Sequence, residues 1–298
     1  MSTLTKSPVN VARQALAVGT HVLRPYSHKN SPQKFTQPQL FSCLVLKTFF
    51  KTDFRGLAQL LADLPDLAGV LGLERVPHFT TFHKTAGRLL KLRLAERLVS
   101  ATVGLCLKRR TTVRRGALDS TGFQCGHASS YYVRRRSRDG KSYQQTTYRR
   151  FAKLEAAVDC STHTIIGVIP RRGPRVDTDR FVPLLENALR RVRLRTALAD
   201  AGYDSEPNHR HAREVRGVHS FIPATAGRPT AKPPTGRYRR RMKQRLSKDY
   251  GKYGQRWQVE TVFSMIKRRL GSVVHARSYW SQCRELMLLA VTYNIMLL

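Results

Sequence analysis

The first third of the chain shows apolar residues at helical spacing behind a polar opening segment. Residues 1–35 are polar and contain three prolines, so we expect them to form a flexible leader. From Thr36, which can cap a helix, segment 36–111 carries three helical patterns that are rich in cations. We predict a helical N-terminal region that binds DNA, and plain helical packing without DNA contact is the open alternative.

From Thr112 onwards the apolar residues fall into short runs that are typical of strands, with helical patterns between them. The predicted order is three strands, a helix, a strand, a helix, a strand and a final helix. That order predicts an α/β domain over 112–298 with a ribonuclease H-like mixed sheet flanked by helices, preceded by the all-α region. The strands are predicted at 115–123, 153–160, 164–170, 196–204 and 219–225, and the helices at 179–193, 207–216 and 250–270.

Charge narrows the choice of partner. The chain has 54 Lys and Arg residues against 19 Asp and Glu residues, a formal net charge of +35, which favours a polyanion such as DNA. The cations are dense in two segments, 124–150 and 226–249, which we predict to be basic loops that contact DNA; a solvated charged surface is the alternative. A hydrophobic content of 41% argues against a disordered basic tail. No phosphate-binding glycine loop is present, which disfavours an ATP-driven motor.

Cysteine usage and hydropathy predict the compartment. The five cysteines form no C-x-x-C pair and no secretory signal opens the chain, so we expect a cytoplasmic protein in a reducing environment. The longest apolar run, 286–298, is interrupted by Thr292 and Asn294 and is shorter than the about 20 residues of a membrane span. We predict a core helix there and no membrane partner.

Three acidic residues occupy positions from which their side chains could meet in one catalytic site. Asp119 lies in the first predicted strand, Asp200 near the end of the fourth, and Glu260 on the last helix. Converging carboxylates repel one another unless cations lie between them, and carboxylate oxygens suit Mg²⁺ or Mn²⁺. We therefore predict a site for two such ions about 4 Å apart, which can hold both the attacking and the leaving oxygen at phosphorus. Local turn roles for Asp119 and Asp200 are the alternative.

The last predicted helix carries a polar stripe next to an apolar one. Tyr253, Arg256, Glu260 and Lys267 fall within an arc of roughly 60° at 3.6 residues per turn. The neighbouring arc is apolar and would pack against the core; it contains Val259, Val262, Phe263, Ile266 and Leu270. A glutamate between cations at the edge of a buried face indicates a functional site.

Other polar residues are expected to have structural roles. Asp159 is assigned to a strand end and Asp177 to a helix cap. His209 and His211 are expected on the surface of a basic segment.

Three motifs in order resemble a known family. LDSTGF around Asp119, LADAGYDSE around Asp200 and Y-x2-R-x3-E-x6-K from Tyr253 to Lys267 look like those of the DDE transposases of insertion sequences, whose catalytic domain is ribonuclease H-like. The similarity extends from about 112 to 298. It implies that Asp119, Asp200 and Glu260 form a metal-binding catalytic triad. It also implies that Tyr253, Arg256 and Lys267 grip the element's end through its phosphates.

The resemblance implies a function. Such an enzyme cleaves phosphodiesters at the element's terminal inverted repeats and joins the 3′ hydroxyls to target DNA. It would act as a homodimer in the synaptic complex. It would be a prokaryotic protein associated with the nucleoid. The 60 residues from Asp200 to Glu260 are too few for the strand-rich insertion domain of some relatives, which leaves the use of a hairpin intermediate open. A catalytically inactive or domesticated DNA-binding derivative and a ribonuclease H-like nuclease are the alternatives.

Overall fold

A computed structural model gives the backbone of most of the chain. It describes residues 4–30, 32–126, 130–136, 143–149, 151–174, 177–224, 234–245 and 250–298, with side chains except at 130–136, 143–149, 245 and 250. Parts of the two predicted basic loops therefore lie outside the described residues: 127–129, 137–142 and 150 in the first, and 226–233 and 246–249 in the second.

A mixed six-stranded sheet forms the centre of the predicted catalytic domain. Its strands run in the order β5-β4-β1-β6-β7, with β8 beside the end of β1, and β2 and β3 form a separate hairpin. β1 pairs antiparallel with β4 and parallel with β6. The strands are β1 Thr112–Cys125, β2 Ser130–Arg136, β3 Tyr143–Arg149, β4 Phe151–Asp159, β5 Ile165–Gly173, β6 Arg193–Ala199, β7 His219–Phe221 and β8 Val273–Val274.

Helices cover both faces of this sheet. Consecutive residues of the central strands, such as Ala117 with Leu118 and Ala156 with Ala157, are all fully buried, as expected for strands with covered faces. The helices are α1 Pro8–Val22, α2 Gln37–Phe49, α3 Phe54–Asp63, α4 Pro65–Val70, α5 Phe79–Leu89, α6 Leu92–Cys106, α7 Phe181–Leu189, α8 Glu206–Arg210, α9 Arg237–Arg245, α10 Tyr250–Tyr253, α11 Trp257–Leu270 and α12 Tyr279–Met296. The predicted ribonuclease H-like α/β architecture with an all-helical N-terminal region is confirmed.

The expected flexible leader was wrong for residues 8–22, which form α1. Ser7 caps this helix by accepting from the Asn10 N–H at 3.2 Å, and Pro8 occupies the first turn, where its missing N–H costs nothing. Small apolar residues at helical spacing, including Ala12 and Ala15, are fully buried against α2, α6 and α12. Prolines at both ends of this segment concealed a helix that tertiary packing stabilises.

The N-terminal helices and the sheet share one hydrophobic core through α12. Buried residues form a continuous cluster from Val11 to Met296. Asn294 of α12 is fully buried and bonds both backbone groups of Ile165 on the edge strand β5, at 3.0 Å each, and its amide also donates to the Thr102 hydroxyl of α6. The helical region and the sheet thus share one core, while the DNA-binding role of the helical region stays a prediction.

Several element bounds differ from those predicted. The 250–270 helix is divided into α10, a 3₁₀ turn at Gly254–Arg256 and α11, because glycine disfavours a continuous α-helix. The segment predicted as a loop at 124–150 contains the hairpin β2–β3, whose Tyr, Val and Thr residues favour strands. The segment predicted as a loop at 226–249 contains α9.

Among the helices of the described ranges, none is long and apolar enough to cross a membrane. All five cysteines are free.

Asn294→Ala should lower the free energy of unfolding by about 1–3 kcal/mol, because the N–H and C=O of Ile165 would lose their buried partner. Denaturant unfolding of the full-length protein measures the change. Thr292→Val is the matched control on the same helix, since the Thr292 hydroxyl is buried without a hydrogen-bond partner among the described residues. We expect the control to be neutral or slightly stabilising; equal losses in both variants would contradict the role of Asn294.

Candidate active site

Strand pairing brings the first two predicted acids side by side. Leu118 of β1 pairs with Ala199 of β6 in parallel register, and Asp119 and Asp200 are the residues that follow. Neighbouring strands lie about 4.8 Å apart, so the two carboxylates start from adjacent backbone positions. β6 ends there, and Asp200 caps a 3₁₀ turn by accepting from the Ala201 N–H at 2.7 Å.

Arg256 joins Asp119 to the third predicted acid. Its Nη1 lies 3.6 Å from Asp119 Oδ2 and its Nη2 donates to Glu260 Oε1 at 2.7 Å. The apolar residues of α11 pack against β1 and β4, which holds the polar edge of the helix over Asp119. The Asp119 side chain is 21% exposed and that of Glu260 is 54% exposed, so the pair opens towards solvent.

The charges of Asp200 and Glu260 both act on the carboxylate of Asp119. Burial raises the pKa of Asp119 from 3.8 to about 6, opposed by the Ser120 N–H and by the charge of Arg256. The negative charges of Asp200 and Glu260 raise this pKa further. The structure therefore brings Asp119, Asp200 and Glu260 into one cluster.

Tyr253 belongs to the same cluster, at the start of the 3₁₀ turn that leads to Arg256. Burial raises the pKa of its phenol, and the nearby carboxylates of Asp200 and Asp119 act in the same direction. Arg256 opposes the shift through its charge and through a side-chain hydrogen bond. A 3₁₀ turn has three residues per turn, which stacks Tyr253 directly on Arg256.

Lys267 lies apart from the cluster. It is seven residues beyond Glu260, about 10.5 Å along the axis of α11. Its ammonium lies 5.5 Å from the centre of the Phe123 ring, and burial lowers its pKa. Since Phe123 follows Asp119 by four residues on the same strand, both side chains face the same side of the sheet. Lys267 thus continues the polar edge without contacting the acids.

A polar network that the sequence pattern did not predict lies next to Asp119. The Ser120 hydroxyl donates to Asp177 Oδ2 at 3.3 Å, and Asp177 also forms an ion pair with Lys153 of β4. The expected capping role of Asp177 was wrong, because its side chain caps no helix. The signal was the presence of charged residues in the otherwise apolar β4, since Lys153 and the wholly buried Glu155 each need a partner of opposite charge.

Glu155 has its own partners. Its carboxylate lies 2.6 Å from Arg171 Nη1 and 3.4 Å from Arg180 Nε. Because Glu155 pairs with Ser120 across the strands, these ions lie behind the strand segment that carries Asp119.

Of the remaining polar residues, Asp159 has the role that was predicted for it and His209 does not. The strand-end role of Asp159 is confirmed, because its carboxylate accepts from Ser161 and Thr162 in the turn after β4. The surface position of His209 was wrong: the ring is fully buried, 2.7 Å from the Ser220 hydroxyl, and burial lowers its pKa to about 4. His211 is partly exposed and lies 2.7 Å from Glu186.

The three acids have the chemistry of a divalent-cation site. They offer only carboxylate oxygens, which hard ions such as Mg²⁺ and Mn²⁺ prefer, and their mutual repulsion favours a cation between them. In the part of the chain that the structure describes, no three His, Cys, Asp or Glu side chains, these acids included, are grouped so that they could hold a metal ion together. Arg256 instead provides the positive charge between Asp119 and Glu260.

The site lies within a region that matches a known family. Residues 112–295 match the transposase DDE domain, which covers more than half of the chain and includes all three acids. The family comprises transposases, which act on DNA and generally use divalent metal ions. The chain belongs to the transposase DDE domain family.

Proposed function

We propose that this protein is a DNA transposase that cleaves phosphodiesters at the ends of an insertion sequence and joins the 3′ hydroxyls to target DNA. The observation that carries the proposal is the carboxylate cluster of Asp119, Asp200 and Glu260 within a transposase DDE domain. The net charge of +35 supports a DNA partner. Its DNA partners would be the terminal inverted repeats and the target, held by a homodimer in the cytoplasm.

In each of the two proposed steps, one oxygen attacks a phosphorus atom and another oxygen leaves it. In the first, a water oxygen bonds to the phosphorus at the element's end and the 3′ oxygen leaves as a hydroxyl. In the second, that 3′ oxygen bonds to a target phosphorus and the target's own 3′ oxygen leaves as a hydroxyl. Each step exchanges one oxygen at phosphorus, so neither needs a protein nucleophile or an external energy source.

The three acids would hold Mg²⁺ or Mn²⁺, for which we propose two ions. Bound there, the ions would neutralise charge on the phosphate and lower the pKa of the attacking hydroxyl. The fully buried Ala117 and Leu118 just before Asp119, and the ionic network behind the strand, fix the backbone from which its carboxylate projects. The exposed Asp200 and half-exposed Glu260 leave the cluster accessible to a DNA strand.

The cations of α11 and its preceding turn would position the DNA. Arg256 has a planar guanidinium that suits bidentate phosphate contacts as well as carboxylates. Its location between Asp119 and Glu260 would place a phosphate oxygen at the acids. Tyr253 beside it and Lys267, about three turns further along, would contact the same DNA strand.

Asp119→Asn, Asp200→Asn and Glu260→Gln should each abolish Mg²⁺-dependent cleavage of DNA that carries the element's ends, because each removes one anionic ligand. We expect at least a hundredfold loss, on the order of the 3 kcal/mol by which one such group stabilises a transition state. Gel assays of cleavage and strand transfer measure the effect. Binding of the same DNA without divalent ions is the control and should be retained.

The wild-type protein separates the functional classes in this assay. Cleavage followed by strand transfer supports a transposase. Cleavage without joining would replace it by a ribonuclease H-like nuclease, and binding without cleavage by a DNA-binding derivative. Wild-type activity in any one variant would remove that residue from the site.

Asp119 should make stability pH-dependent when divalent ions are removed with EDTA. Its folded pKa of about 6 lies above the ordinary value, so ionising it costs more in the folded state and stability falls as pH rises from about 4 to 6. Asp119→Asn lacks this cost and should be more stable than the wild type at pH 7.5, by up to about 3 kcal/mol. The difference should vanish below pH 4, as followed by denaturant unfolding.

Asp177→Asn is the control for this measurement. It removes an ion-pair partner of the buried Lys153 and should therefore destabilise the protein at pH 7.5, which is the opposite sign. Added Mg²⁺ should raise the melting temperature of the wild type more than that of Asp119→Asn. A wild type more stable than Asp119→Asn in EDTA at pH 7.5 would contradict the electrostatic picture of the site.

Tyr253→Phe should retain most cleavage, within about tenfold, because we assign the phenol to DNA contact rather than to covalent chemistry. Quantitative cleavage rates at saturating DNA test this, with Arg256→Gln as the comparison that should lose more. Complete inactivity of Tyr253→Phe, with binding intact, would speak for a nucleophilic tyrosine.

A further inference from the structure

α9 is a docked helix with two chemically different faces. Tyr238, Arg239 and Met242 face the protein, and Met242 is buried. Arg237, Arg240, Arg241 and Lys243 are exposed on the opposite face. This helix of 9 residues thus presents a row of cations to solvent.

Three acids hold the inner face of α9. Arg239 forms a bidentate contact with Asp204, with its Nη2 2.7 Å from Oδ2. The backbone N–H groups of Tyr238 and Arg239 donate to Glu206 at 3.1 Å each, and the Tyr238 hydroxyl donates to Glu214 at 3.0 Å. A carboxylate at a helix N-terminus also stabilises the helix dipole.

A glycine makes this docking possible. Gly236 precedes the helix with a φ of +101°, a conformation that L side chains rarely adopt. A Cβ at this position would also collide with the Glu206 carboxylate that caps the helix. The backbone before α9 is therefore fitted to its anchor.

The anchor lies next to the proposed catalytic site. Asp204 follows Asp200 by four residues through a 3₁₀ turn, and at about 2 Å per residue the two are about 8 Å apart along the chain. Among the described residues, no carboxylate forms an ion pair with Arg240, Arg241 or Lys243. Their charge is thus available to an anionic partner on the solvent side of α9.

We propose that the exposed face of α9 binds the sugar-phosphate backbone of the target duplex. The face offers only arginine and lysine cations beside one glutamine, and contacts to phosphate carry no sequence information. Target DNA needs to be held beside the acids whatever its sequence is, whereas an element's end is recognised by its own fixed sequence. This inference rests on the proposed function and adds a target site to it.

The test compares two variants that each remove three positive charges. The α9 variant carries Arg240→Gln, Arg241→Gln and Lys243→Gln. The control carries Arg190→Gln, Arg193→Gln and Arg195→Gln, exposed residues at the end of α7 and on β6; Arg193 begins β6, about 20 Å from Asp200. Binding of a random-sequence duplex is measured as a function of salt by fluorescence anisotropy.

The expected result is a difference in salt dependence. The slope of log K against log salt should fall by about 0.9 for each phosphate that the protein no longer neutralises, so by up to about 3 in the α9 variant and little in the control. With precleaved element ends, strand transfer should fall at least tenfold in the α9 variant, while cleavage of intact ends stays near the wild-type rate. Gly236→Ala keeps every charge but displaces the helix, and should reduce strand transfer in the same way.

Two results would overturn the inference: wild-type salt dependence in the α9 variant, or a loss of element-end cleavage equal to the loss of strand transfer. A wild-type protein that cleaves nothing would overturn the proposed function instead. In that case the duplex-binding slopes still decide whether α9 holds DNA. Thermal unfolding of each variant verifies that the fold is retained.

Discussion

The structure depends on bringing negative charges together at the end of one pair of parallel strands. β1 and β6 end their pairing at Leu118 and Ala199, so Asp119 and Asp200 must be neighbours whatever their side chains prefer. α11 then adds Glu260, and the pKa of Asp119 is raised, chiefly by burial and further by the charges of Asp200 and Glu260. This burial and repulsion oppose folding, and Arg256 offsets part of the cost by contacting Asp119 and Glu260. The fold therefore holds an arrangement that a cation or a metal-bound phosphate would stabilise.

Paired charges and buried contacts around the three acids hold their strands in place. Behind the strand that carries Asp119, Glu155 is buried with Arg171 and Arg180, so the central sheet contains charges that are individually paired. A buried pair of this kind contributes little net stability, but removing one partner is costly, which fixes the strands in one register. At the far edge, Asn294 connects α12, α6 and β5. The N-terminal helices thus support the same sheet that positions the acids.

Sequence patterns predicted the strands and helices whose apolar residues recur at regular spacing within one short segment. The strands around Asp119 and before Asp200 follow from short apolar runs, and the polar stripe of α11 follows from its spacing. Elements that depend on distant partners were missed. α1 needs the surfaces of α2 and α12 to bury its alanines, and α9 needs Asp204 and Glu206 to anchor a segment that would repel itself in isolation. No periodicity reports such partners, because they are far away in the chain.

The break before α11 shows how a small error in an element affects a site. A continuous helix would place Tyr253 and Arg256 about 60° apart around the axis, whereas the 3₁₀ turn at Gly254–Arg256 stacks them. The Tyr253 side chain forms a hydrogen bond with Arg256, which itself contacts Asp119 and Glu260. The helical spacing thus grouped Tyr253, Arg256 and Glu260, which the structure also places near one another, but it added the more distant Lys267 and gave the wrong geometry before α11.

The distribution of the 19 acids explains how a chain of +35 can fold and still bind a polyanion. Many of them are used inside the protein as partners for particular cations: Glu96 for Arg191, Glu186 for Arg216, Asp177 for Lys153 and Asp204 for Arg239. Such pairs anchor helices and strands while the outward cations keep their charge. A phosphate that approaches Asp119, Asp200 and Glu260 meets their repulsion, so positive charge beside the acids is a requirement of the chemistry. Arg256 supplies it within the cluster, and α9, which is anchored to Asp204 four residues after Asp200, would supply more.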